Sequence, residues 1–338
     1  MIWLTWRQFR VPALAGAAVL GVLAAYLVRL GVEIRDARDG YLARCGAVGD
    51  CAGAAARFAG DHQNTLLILA GVFWLLPVVL GMFWGAPLVA REFEQGTHRL
   101  VWNQSVTRRR WLAVKLLVVA VAAMTVAGLA SLLLTWAASP VDRVADDRFS
   151  TIVFGARDVA PVSYAVFAVV LGATVGLLVR RTVPAMAFTV VAVAAIQVAV
   201  PNVVRPQLMP PVTVSRPMTA DAVNELRGLG SITGRPAVRG LTVPDAWVTG
   251  TSELLTADGR PLDAATFDDC LTRPPRVGAR GLFGDTAPCL GALDLHVDVT
   301  YQPRHRYRAF QWLESALYLA AAGLLAGAGM WRIRRRVN

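Results

Sequence analysis

The sequence predicts an all-α polytopic membrane protein with six transmembrane helices and a small α+β extracytoplasmic domain between the fifth and sixth. Three observations lead there. Hydrophobic residues make up 55% of the 338 residues and charged ones 17%, against about 25% charged in an average soluble protein. Mean hydropathy is +0.48. The apolar residues also gather in long runs: Val11 to Val28, Thr65 to Ala90, Leu116 to Ser139, Val159 to Val179, Thr182 to Val204, and Ala309 to Trp331 broken only by Glu314. A hydrocarbon core about 30 Å thick takes roughly 20 apolar residues of helix. The runs lack the alternation of a membrane β-barrel, and this hydrophobicity excludes disorder.

The elements follow in order. Residues 1–10 set Trp3, Trp6 and Phe9 among Arg7, Gln8 and Arg10, the pattern of an interfacial helix. The following apolar run is long for a signal peptide and no small-x-small site follows it, so cleavage is not expected. Transmembrane helices are expected at about 11–30, 65–90, 112–138, 159–179, 182–204 and 309–331. Trp84, Trp111, Trp136, Trp312 and Trp331 lie near run ends, where amphipathic rings favour the headgroup region.

Net charge is +11. Alone this suggests nucleic acid; with so apolar a chain it suggests a charge bias between two membrane faces. Arginine collects in short segments: Arg7 and Arg10, the 91–115 stretch, Arg180 and Arg181, and Arg332 with Arg334 to Arg336 in a basic tail at 332–338. The positive-inside rule puts these in the cytoplasm. Both termini fall in this set, as six spans require, and Glu92 and Glu94 are its only acids.

All four cysteines then fall outside. Cys45 and Cys51 follow the first span, and Cys270 and Cys289 precede the sixth. An oxidising exterior favours disulfides. Four cysteines allow three connectivities, of which the local pairs Cys45–Cys51 and Cys270–Cys289 are expected. A metal site is not, because the Cys45–Cys51 spacing is wider than that of zinc ligands.

Residues 205–308 are too many for a structureless loop. Thr219 to Arg227 reads as a short helix, and Ala246 to Leu255 as a strand before an Asp258-Gly259 turn. In Leu293 to Tyr301, Leu295, Val297, Val299 and Tyr301 alternate with Asp294, His296, Asp298 and Thr300, which marks a half-buried strand. Its polar residues read as a solvated face of an exposed strand rather than metal ligands. Gly228, Gly230 and Gly234 read as a loop, not a dinucleotide fingerprint, since no strand-to-helix unit surrounds them.

Catalytic chemistry is sparse. Lys115, the chain's single lysine, follows Val114, so no Gly-Lys-Ser/Thr phosphate loop exists. The chain is expected to be no enzyme, with no cofactor of its own. Gln197 and Glu314 are the strongly polar residues within spans and are candidate pathway residues. Glu314 lies near Trp312 and is expected at the interface. Gly81 with Gly85, Gly172 with Gly176 and Gly323 with Gly327 are small-xxx-small pairs suited to close helix packing.

The 91–111 loop carries most information. Gly96 after Glu92 to Gln95 is a helix stop, Thr97 can cap a second helix through Trp102, and Thr107 can cap the third span. Arg108 to Arg110 suit anionic headgroups, whereas the two glutamates fit a protein contact. The pattern Arg91-Glu92-x-Glu94-x-Gly96-Thr97, then Ser105-x-x-Arg108 and Lys115, resembles the loop after the second of six spans in type-2 ABC transporter permeases, with wording closest to actinobacterial members. The interfacial helix, span count and large last outer loop share the resemblance. It implies that Arg91, Glu92, Glu94, Gly96, Thr97 and Arg99 couple to a separate P-loop ATPase subunit, which would bind ATP and Mg. It also implies a second permease copy, as homodimer or pseudo-dimer, and outward transport of a hydrophobic or amphipathic substrate across the plasma membrane. The alternative is a membrane sensor or immunity protein whose outer domain binds a ligand without transport.

Overall fold

The apolar runs become helices in the computed structural model, and the helices outrun them. The structure describes residues 2–48, 51–96, 107–144, 148–232, 235–241, 243, 246–272 and 283–336. They form two compact units: Met1–Arg205 with Arg308–Asn338, and Pro206–Tyr307.

The first unit is helical. It contains α1 (Ile2–Val48), α2 (Cys51–Trp74), α3 (Leu76–Leu80), a π-turn at Gly81–Gly85, α4 (Ala86–Glu94), α5 (Arg108–Ala138), α6 (Thr151–Ala156), α7 (Ala160–Val179) and α8 (Thr182–Ala199) with a π-turn at Val200–Val204. After α9 (Ala220–Asn224), α10 (Ala264–Thr272) and α11 (Thr286–Gly291) of the second unit, α12 (Tyr307–Arg336) returns to the first. Among the described residues six helical stretches are long and apolar enough to cross a membrane. Their outward faces are apolar: Val22, Ile68, Leu132, Val183, Phe188, Val191 and Leu324 are each more than 60% exposed. Water tolerates such a surface poorly.

Two elements differ from the sequence reading. Residues 2–10 and the first span are one helix of 47 residues, about 70 Å at 1.5 Å per residue. Pro12 sits inside it but removes only the bond to the Gln8 carbonyl, and no glycine or cap separates Arg10 from Val11. The helix also continues past 30, because Leu27, Leu30 and Ile34 recur at helical spacing and bury against Leu66, Leu69 and Phe73 of α2 and Leu134 of α5. The second span is broken by its prolines. Pro77 opens α3, and Pro87, lacking an N–H, leaves the Phe83 carbonyl without its usual partner. The chain answers with the π-turn, in which Ala86 N bonds Gly81 O.

That π-turn touches α7 backbone to backbone. A Cβ on Gly85 would lie 2.6 Å from Val169 O, one on Gly172 2.5 Å from Gly81 O, and one on Gly176 2.5 Å from Ala86 O. Two glycine pairs thus serve one contact. Gly323 and Gly327 meet nothing within 4 Å. Cys45–Cys51 is a disulfide joining α1 to α2. Arg35 fastens α1 to the end of α5, donating to Trp136 O at 2.8 Å and stacking 3.8 Å over its ring.

The second unit holds an antiparallel sheet in the order β1-β5-β4 and a separate pair β2-β3. The strands are β1 (Val212–Pro217), β2 (Gly228–Ile232), β3 (Arg235–Arg239), β4 (Ala246–Thr251) and β5 (His296–Pro303). Thr219 caps α9 through Ala222 N, and Gly259 supplies the turn with φ +73°. Met218, Leu226, Phe267, Leu290, Val297 and Val299 build the core, with Cys270–Cys289 bonded between α10 and α11. The strand bearing His296 and Asp298 is the central one, paired on both edges; Leu295, Val297 and Val299 are buried while His296, Asp298 and Thr300 are half-buried on the other face, and among the described residues no group of His, Cys, Asp and Glu could hold a metal. One reading changes here. Gly228 and Gly230 lie in a strand paired with β3, not in a loop; Gly234 lies outside the described residues.

Candidate functional site

The segment singled out by its motif begins where the second span ends. In α4, Ala86, Val89, Ala90 and Glu92 face inward, and Val89 to Glu92 is a three-residue step along one helix face. Glu92 is therefore carried into the bundle. On α5, Trp111, Leu112, Lys115, Leu116 and Val119 form the inward stripe, which brings the single lysine to the same place. Lys115 donates to Glu92 and, at 3.1 Å, to Gln8 Oε1 on α1, and lies 5.0 Å over the Trp111 ring. Their side chains are 4% and 9% exposed. A charge so placed is tolerable only when paired, and this pair ties α1, α4 and α5 together. Glu92, expected as a protein contact, is turned inward because helical spacing places it behind Val89.

Glu94 is exposed and accepts from Thr182 N at 3.0 Å and from Thr182 Oγ1 at 2.6 Å. A carboxylate at the first turn of α8 also meets the positive end of that helix's dipole. The Thr182 hydroxyl bond, then the Thr182 backbone bond, hold its carboxyl below the usual range. This contact is accordingly present above the ordinary carboxylate range and lost as pH falls through the lowered value. Gln95 N bonds Arg91 O, and Gly96 at φ +71° ends the helix. Arg91 is exposed. Thr97 and Arg99 lie outside the described residues. Beyond them Thr107 caps α5, accepting from Arg110 N at 3.4 Å.

The other polar centre lies deep in the bundle. Arg205 and Glu314 are both fully buried. Arg205 Nε donates to Glu314 Oε2 at 2.7 Å and Nη2 to Oε1 at 3.2 Å, a forked pair. Tyr164 also donates to Glu314, and the guanidinium lies 3.8 Å over the Phe154 ring. Nearby, Gln311 accepts from Ala160 N at 2.8 Å and donates to Phe154 O at 3.1 Å, and Ser163 meets Ser315 at 3.3 Å. Glu314 is thus enclosed by the bundle and paired with the end of the fifth span. Gln311, Glu314, Ser315 and Tyr318 share one helix face turned to α7, while Trp312, 64% exposed, points the other way. That stripe was readable in the sequence; Arg205, at the end of the fifth run, gave no sign of its partner. Gln197 is buried and donates to Trp74 O at 3.0 Å, beside the break between α2 and α3.

Long apolar-faced helices whose interior charges are paired across the bundle define a multi-pass membrane protein. Residues 17–205 match the family described as ABC-2 membrane transporter related, and the chain belongs to that family, in keeping with the resemblance of its 91–115 segment to type-2 ABC permeases. The matched stretch includes Glu92, Lys115 and Glu94 and ends at Arg205. No curated protein and no solved structure matches the chain.

Proposed function

We propose that the chain is the membrane-spanning subunit of an ABC exporter in the plasma membrane. It works with a second permease copy and separate P-loop ATPase subunits, and moves a hydrophobic or amphipathic substrate outward. The basic segments and both termini face the cytoplasm, and the 206–307 unit faces outside. One observation carries the mechanical part of this reading. The helix of the second span stops at Gly96, directly before Thr97, while its last turn is fastened to α1 and α5 through Glu92–Lys115–Gln8 and to α8 through Glu94–Thr182. A push on residues 97–106 would reach three membrane helices at once. In this reading Gly96, Thr97 and Arg99 meet the ATPase with Arg91 beside them, Glu94 sits at the edge, and Glu92 passes the movement inward. Gln197 and Glu314 act as helix-packing groups rather than pathway groups. Membership of a transporter-related family favours this over a ligand sensor.

The test is co-purification from native membranes with tagged full-length chain. Recovery of a P-loop ATPase whose ATP turnover depends on the chain supports the proposal. Thr97→Arg with Arg99→Glu should lower that turnover at least tenfold while leaving the permease folded. No ATPase recovered, together with unaltered flux from the double variant, would overturn it.

A further inference from the structure

Two cavities in the helical unit meet at one wall. The first, about 320 Å³, is lined on its polar side by Thr5, Gln8, Arg91, Glu92, Gln95 and Lys115. The second, about 400 Å³, is a trough of Val11, Ala15, Val19 and Leu23 on α1 against Phe73, Leu76 and Leu80 of the broken second span. Pro12, Phe83 and Trp84 line both. Each volume lies within the roughly 300 to 1,000 Å³ of small-molecule sites.

The change from polar to apolar happens at one level on both walls. Arg10 is the last charge before the apolar run of α1, and Arg91 is the first charge after the apolar run of the second span. The join between the cavities therefore lies where headgroups give way to hydrocarbon. Along α1 the trough extends from Val11 to Leu23, about 18 Å at 1.5 Å per residue, close to the roughly 15 Å of one leaflet's hydrocarbon. Of the charged residues at the polar end, Glu92 is committed to Lys115, which leaves Arg91 in excess. Arg91 is exposed and has no carboxylate partner among the described residues, and Gln8 and Gln95 line the same cavity.

We propose that these two adjoining cavities together form a binding site for one anionic phospholipid, with the phosphate at Arg91 and an acyl chain in the trough between α1 and the second span. The site belongs to the permease alone, so it stands or falls separately from coupling to an ATPase.

Native mass spectrometry of full-length protein in detergent tests it, with dioleoylphosphatidylglycerol against dioleoylphosphatidylcholine. One phosphatidylglycerol per chain should be retained at a tenfold lower concentration than phosphatidylcholine. Arg91→Ala should lower retention at least tenfold and Arg91→Lys should restore most of it. Ala15→Trp, which fills the trough from an exposed position, should abolish retention. Both sites are exposed, and circular dichroism with size-exclusion chromatography checks that the variants are folded. Glycerophosphoglycerol, the headgroup without chains, should not displace the lipid. Any of four results overturns the proposal: equal retention of the two lipids, unchanged retention in Ala15→Trp, displacement by the free headgroup, or a lipid-free dimer that Ala15→Trp dissociates.

Discussion

Arg205 and Glu314 sit at 0% exposure, where neither charge can be left alone. Breaking a buried pair by removing one member costs about 3–5 kcal/mol, because the survivor stays buried without compensation. Arg205→Met should therefore lower the thermal unfolding temperature of the detergent-solubilised protein sharply, and Arg205→Met with Glu314→Leu should recover much of the loss. Two single-variant effects that simply add would show that the groups do not act as a pair. The charges themselves were plain in the sequence, and their partners were not. Lys115 and Glu92 are 23 residues apart, and Arg205 and Glu314 are 109 apart; no local pattern encodes such a pairing. Glu92 was the nearer case, since its spacing from Val89 already set it on an inner face.

At the scale of elements, the six apolar runs were enough to set the number of long helices, and the glycine pairs announced close packing. What composition could not reveal was which pair meets which. Gly81 and Gly85 meet Gly172 and Gly176 because prolines open a π-turn on one side, while Gly323 and Gly327 face open space. Gly172→Leu should thus destabilise the helical unit severely, since its side chain would collide with backbone that cannot retreat. Gly323→Leu should leave detergent stability within about 0.5 kcal/mol, as for other surface changes. Parallel thermal scans of the two variants decide the point. The full length of α1 is hard to see in its sequence for a related reason: its continuation past residue 30 is amphipathic, and the repeat of Leu27, Leu30 and Ile34 is drowned by the charges interleaved with it.

The division into a helical unit and the Pro206–Tyr307 unit gives topology a direct test. Both described cysteine pairs are bonded and no free cysteine is present, so introduced thiols report cleanly. In intact cells Asp258→Cys should react with a membrane-impermeant maleimide, whereas Arg109→Cys should react only after permeabilisation; the reverse pattern would invert the proposed orientation. The single lysine offers a second reporter. Lys115 is the only side-chain amine in 338 residues and is 3% exposed. To an amine-reactive reagent the folded surface is therefore blank at every side chain. Acylation of Lys115 becomes a clock for the opening of its pair with Glu92, timed on the native sequence without introducing any label.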